Sequence, residues 1–188
     1  MTTQELRRGL SSAAWGYFLL NFDFRVGTVS ILPTFVGWLL FLSAIRSLSG
    51  ARRSLTLLRP LCLLLAVWNA VEWLLSWLGQ TTLNERFLFP NLLTSAAGLY
   101  FHYQFLTDLA ALAQQFQPED KALDAPLRRR RTEYTVLITA AVLISVLMDR
   151  FPLQRLEGLV LIPVLAACIL SLVIMVNLFQ LQRYLELT

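Results

Sequence analysis

Glu72, Asn69, Ser95, His102, Asp23 and Arg25 are the side chains whose type and setting suit chemistry inside a membrane. Glu72 stands in an apolar run, about two turns from its end, where a carboxylate must be protonated, paired or wetted. At about 100° of turn per residue, Cys62, Asn69, Glu72 and Ser76 share one stripe, with leucines over the remaining surface. A carboxylate so placed suits a proton-coupled or cation-binding site, or a structural hydrogen-bonded acid that joins two helices. A second stripe, Asn91, Ser95, Gly98 and His102, is narrow, polar and built of small residues. It suits packing against another helix or lining a cavity. His102 is the single histidine, either a group titrating near neutral pH or a satisfied structural residue. Counted from the loop that joins the two runs, Thr94 and Ser95 come level with Glu72, and His102 lies about 10 Å deeper. A direct Glu72–His102 pair is therefore not expected. Asp108, with Gln104 on the same side, is expected near a helix end in contact with solvent. Asp23 and Arg25 sit in a polar turn, where they can pair with each other, or Arg25 with Glu72.

The elements that must position these groups follow from composition. The chain has 188 residues, 56% hydrophobic and 15% charged. Its charges are bunched between long apolar runs, which points to a bilayer as solvent and to a single integral membrane domain over 1–188. The predicted fold is all-α, a polytopic membrane helical bundle of six hydrophobic segments. These are placed at about 4–21, 31–45, 61–78, 87–116, 134–148 and 158–181 by apolar run length. The first run ends in Asn-Phe-Asp-Phe-Arg without a small-residue cleavage site and reads as an uncleaved helix. Its apolar part, 10–22, would cover roughly 20 Å, against a hydrocarbon core about 30 Å thick. Residues 10–45 thus form either two short spans or a re-entrant hairpin. Gly27 is the flexible point of the turn, Ser30 a cap, and Pro33 a first-turn residue of the second helix.

Of the sixteen basic residues, Arg25, Arg86, Arg150 and Arg155 fall on one side of an alternating plan and the other twelve on the opposite side. The positive-inside rule then puts both termini in the cytoplasm, in either the six-span or the hairpin plan. Residues 116–133 read as a cytoplasmic basic loop that carries Arg128, Arg129, Arg130 and Arg131, expected to contact anionic lipid. Membrane topology accounts for that charge without nucleic acid. Cys62 and Cys168 lie in apolar runs and are expected to be unpaired thiols. No Cys/His cluster, nucleophile elbow, metalloprotease helix or phosphate loop is present, so no metal, cofactor or catalytic residue is assigned.

The residues FDFRVGTVSILPTFVGWLL resemble a pattern of small bacterial integral membrane proteins of unassigned function. In these a short hydrophobic segment leads to an Asp, a Gly-containing turn and Ile-Leu-Pro-Asp-Phe-Ile-Gly-Tyr. Asp23, Gly27, Ile31, Leu32, Pro33, Phe35 and Gly37 fit the pattern. Thr34 stands where Asp is usual and Trp38 where Tyr is usual, which weakens an ion-binding reading of the turn. The resemblance implies a bacterial cytoplasmic membrane and no particular activity. Three functions suit these residues. The chain can be a solute or ion transport protein or transport-complex subunit with an outward-facing polar interior around Glu72. It can be a membrane scaffold or accessory protein, alone, as a homo-oligomer or beside a partner membrane subunit. It can be a lipid-processing enzyme using Glu72 and His102.

Overall fold

In the computed structural model, residues 3–22, 25–26, 29–30, 33–81, 83–116, 124–150 and 157–184 are described. Six long helices and one short one carry most of them: α1 (Thr3–Asn21), α2 (Thr34–Leu48), α3 (Ser54–Trp77), α4 (Leu83–Arg86), α5 (Leu88–Phe116), α6 (Asp124–Arg150) and α7 (Glu157–Tyr184). Between α1 and α2 lies a small departure from the all-helical expectation. β1 (Arg25–Val26) and β2 (Val29–Ser30) pair antiparallel, Arg25 opposite Ser30 and Val26 opposite Val29. Ser30 therefore belongs to a strand and does not cap α2. Pro33, extended at φ −68° and ψ 128°, is the residue from which α2 starts. Asp23 and Gly27 lie outside the described residues, as do Lys121 and Arg155.

The two boundaries that differ most from the sequence-based expectation both lie in arginine-rich stretches. α3 begins at Ser54 rather than 61, with Pro60 inside its second turn. α6 begins at Asp124 rather than 134, so the second half of the expected basic loop is helical. Asp124 and Pro126 suit a first helical turn, and the ion pairs Arg128–Asp124 and Arg129–Glu133 join successive turns of that helix. Polarity had hidden a helix that its own charge spacing stabilises. At the other end of α3, Gly79 takes φ +68°. The Gln80 N–H donates to Leu75 O at 3.0 Å and the Gly79 N–H to Ser76 O at 3.1 Å, closing the helix with a Schellman turn.

Among the described residues, three helices are long and apolar enough to cross a membrane: α3, α6 over Asp124–Met148 and α7 over Leu161–Tyr184. α2 is apolar and shorter. α5 has the length, but Asn91, Ser95, His102, Gln104 and Asp108 dilute its apolar surface. Length and apolarity thus support membrane association through three helices and do not establish six crossings.

The helices form a closed circuit, with α1 against α2, α2 against α3, α3 against α5, α5 against α6, α6 against α7 and α7 back on α1. The α1–α2 seam is the tightest. A Cβ on Gly9 would come 2.6 Å from Leu48 Cγ, one on Gly16 3.0 Å from the Phe41 ring, and one on Gly37 3.0 Å from Leu20. The three pairs run in opposite order along the two helices, so α1 and α2 are antiparallel. Their glycines let the backbones approach closely.

Burial is uneven along the circuit. The buried residues of α3 stop at Ala66, and those of α5 begin at Phe101. Toward the ends where α1 and α3 begin and α5 finishes, Leu10, Ile45, Leu48, Leu55, Leu58, Leu106 and Leu109 are sealed from solvent. Toward the α4 end the interior opens.

Candidate functional site: a polar cavity above an aromatic floor

The opening is a cavity of about 320 Å³ between the last turn of α1, the first turn of α2, the middle of α3, the first half of α5 and α6. Its wall carries Asn21, Thr34, Asn69, Asn84, Asn91, Thr94 and Ser95, with Trp68, Trp38, Tyr134 and His102 supplying rings. The two stripes read from the sequence, one on α3 and one on α5, therefore meet here through Asn69 and through Asn91, Ser95 and His102. Helical spacing explains why: residues four apart on α5 project to the same side.

Several polar groups of the wall are spent within their own helices. Asn69 Nδ2 donates to Leu65 O at 2.8 Å, Thr94 Oγ1 to Pro90 O at 2.8 Å, and Ser95 Oγ to Asn91 Oδ1 at 3.4 Å. Asn21 Nδ2 donates to Tyr17 O at 3.0 Å. Such back-bonding leaves the Asn69 carbonyl and the hydroxyl lone pairs as acceptors toward the cavity. Other wall residues hold buried atoms without a hydrogen-bond partner: Trp68 Nε1, Asn84 Oδ1 and His102 Nδ1. Leaving a buried donor or acceptor unsatisfied costs about 1–3 kcal/mol. Three such atoms on one small wall are donors and acceptors that a polar guest, water included, can satisfy.

His102 forms the floor. It is 7% exposed, and five rings surround it, with centroids at 5.4 Å (Tyr17), 5.6 Å (Trp38), 5.7 Å (Phe41), 5.5 Å (Phe101) and 5.2 Å (Tyr134). These rings come from α1, α2, α5 and α6, so the floor is also where four helices lock together. Beneath it Phe41 packs edge-on to Phe105 at 5.1 Å, closing the path toward the other end of the bundle.

Glu72 does not line the cavity. Its Oε1 accepts the Leu83 N–H at 3.0 Å, at the start of α4. The acid thereby anchors the loop that closes α3 onto α5 and satisfies one of the free N–H groups of that short helix. Asp108 also departs from expectation. It is buried, 5% exposed, and accepts Ser54 Oγ at 2.7 Å and Gln104 Nε2 at 3.4 Å. It ties the first residue of α3 to α5 instead of facing solvent. Asp23 and the Arg25 side chain fall outside the described residues, and with them the Arg25–Glu72 pairing.

The four arginines of α6 all have partners within the chain. Arg128 meets Asp124 at 3.2 Å and Gln114 Oε1 at 2.9 Å. Arg129 and Arg130 share Glu133, each at 2.6 Å. Arg131 donates to Thr107 Oγ1 at 3.0 Å and lies 4.5 Å from the centre of the Tyr103 ring. Arg131 is thus an α5–α6 clamp. Both cysteines are free thiols, Cys62 donating to Trp38 O at 3.3 Å. No group of three or more His, Cys, Asp or Glu side chains suited to a metal occurs among the described residues.

A larger cleft of about 720 Å³ lies at the opposite end, beside Glu5, Arg8, Arg46 and Ser47. Arg8 and Arg46 are exposed there, so water solvates the charges and the cleft lacks the unsatisfied buried atoms of the smaller cavity. Asn21, Thr34, Trp68, Asn84 and Tyr134 are wall residues that helical stripes did not single out. Asn21 and Thr34 flank the turn between α1 and α2. Asn84 lies on α4, which carries no periodic signal. No family profile, curated protein or solved structure matches this chain.

Proposed function

We propose that the chain is a multi-pass integral membrane protein that binds a small uncharged solute in the cavity above His102, acting as a transport protein or transport-complex subunit. One observation carries this reading. A polar cavity with unsatisfied buried groups on Trp68, Asn84 and His102 sits in the interior of a helical membrane bundle. Among the described residues its wall has no acidic or basic side chain apart from the histidine, which favours a neutral guest. Donors and acceptors alternate with aromatic faces, a lining suited to a compact ring or polyol that hydrogen-bonds at its edge. The centre of the site accordingly moves from Glu72 to Asn69, Ser95 and His102.

The excess of basic residues on the side of both termini supports an outward-facing mouth. Exposed Trp77, Phe87 and Phe89 at that end suit the interfacial aromatic belt of a membrane protein. The bacterial cytoplasmic membrane is the location that the turn pattern around Asp23 and Pro33 favours.

Binding of a panel of neutral polyols, amides and heteroaromatic solutes to the purified protein, followed by uptake into liposomes, tests the reading. Asn69→Leu and Ser95→Leu should each abolish binding of the solute found, with the fold intact. Unchanged binding in both variants, or no binding across the panel, overturns it. A scaffold role draws on a different observation. Glu72 and Asp108 are both spent on internal hydrogen bonds. Loss of folding in Glu72→Ala without any solute binding by the native chain would favour it.

A further inference from the structure

The outer surface between α6 and α7 carries a groove of about 550 Å³, walled by Val136, Leu137, Ala166, Ile169 and Leu170 and closed at one end by Arg130, Thr132 and Glu133. Its body is apolar and its polar groups are confined to that end. The groove follows α6 from its charged first turns into its apolar part, so it has the polarity order of a lipid: headgroup first, hydrocarbon after. Val136 and Ile169 are 60% and 64% exposed, whereas Leu170 beneath them is 6% exposed, as in a channel with raised sides and a packed floor.

Charge at the mouth selects the headgroup. Arg129 and Arg130 share the single carboxylate of Glu133, so this triad keeps one positive charge in excess. Arg130 meets Glu133 through Nη1 alone and lines the groove, so Nη2 remains for a ligand. A guanidinium with donors to spare, beside a hydroxyl, matches a phosphate diester in geometry and in charge. We propose that this groove is a binding site for one anionic phospholipid, with an acyl chain along Ala166 and Ile169 and its phosphate at Arg130 and Thr132. The site is distinct from the solute cavity, and neither reading depends on the other. It is also distinct from the diffuse attraction that any basic juxtamembrane segment exerts on an acidic leaflet, because shape and charge must act together.

The full chain, purified and reconstituted in nanodiscs of mixed phosphatidylglycerol and phosphatidylcholine, is analysed by native mass spectrometry after release from the lipid. Retention of one phosphatidylglycerol per chain in preference to phosphatidylcholine is expected. Arg130→Gln, which removes the phosphate partner, and Ala166→Phe, which fills the groove without altering charge, should each lower retention at least tenfold. Arg128→Gln, at a guanidinium whose side chain is 52% exposed, which pairs with Asp124 outside the triad and does not line the groove, should leave it within about twofold of the native chain. Equal retention of both lipids, full retention in Ala166→Phe, or an equal loss in Arg128→Gln and Arg130→Gln overturns the proposal. Should Ala166→Phe fail to fold, the lipid preference and the two arginine variants decide the matter.

Discussion

The two halves of this bundle are built from the same six helices and treat polar groups in opposite ways. In the half that holds Ser54, Asp108 and Arg131, polar side chains find protein partners across helices: Ser54 with Asp108, Arg131 with Thr107 and Tyr103. Leu55, Leu58, Leu106 and Leu109 fill the space between. In the half that holds Asn69, Asn91 and Ser95, polar side chains bond back to their own helices, and the centre is left hollow. The ring cluster around His102 is the partition. Side-chain bonds between helices tie the sealed half, whereas around the cavity Asn69, Thr94 and Ser95 bond within their own helices and leave acceptors facing the hollow.

The sharpest way to break the partition is at Phe41, which is fully buried and touches Tyr17, Trp38, Phe101, His102 and Phe105. Phe41→Ala should cost about 3–5 kcal/mol, read as a lowered thermal midpoint of the detergent-solubilised protein. A null result would mean that the rings do not lock the halves. Next comes Asp108→Ala, which strands Ser54 Oγ and should cost about 1–3 kcal/mol. Asp108→Asn keeps an acceptor and should recover most of that, so equal losses would argue against the Ser54 bond as the cause. His102→Phe separates site from scaffold. The ring fits among the same neighbours at a stability cost below about 1.5 kcal/mol, while solute affinity should fall at least tenfold. If affinity survives, the histidine belongs to the partition alone. Smallest is Arg131→Lys, which weakens the ring contact and loses the planar fork, for about 0.5–1 kcal/mol. A larger loss would make the α5–α6 clamp a main support of the sealed half.

Helical periodicity made part of this legible. The α5 stripe of Asn91, Ser95 and His102 and the α3 position of Asn69 follow from the number of residues per turn, and the cavity contains all four. The partner of Glu72 was not legible, since Leu83 contributes a backbone N–H whose place depends on how the Gly79 turn folds the chain back. Asp108 hid for a related reason. Its partner, Ser54, is distant in sequence and sits in a stretch that its arginines disguise as a loop. The start of α6 was obscured by charge density, although Asp124–Arg128 and Arg129–Glu133 have the four-residue spacing of paired helical charges. Apolar run length finds only the part of a helix that lipid needs, and it stops where the helix leaves the hydrocarbon.

The glycine seam between α1 and α2 bears on how the chain enters its membrane during synthesis. α1 does not qualify as a spanning helix on apolarity, and α2 has only 15 residues, about 22 Å of rise. Neither is an efficient signal for lateral release from a translocation channel. Packed through Gly9, Gly16 and Gly37 they hide their backbones in each other, with Trp15 of α1 and Leu39 of α2 left facing outward. The first segment is therefore expected to wait for the second and to partition into lipid as a pair. A glycosylation-mapping assay on truncated nascent chains should find residues 1–22 alone left outside the bilayer. Residues 1–50 should be integrated, and a bulky side chain at Gly16 should return the pair to the behaviour of its parts.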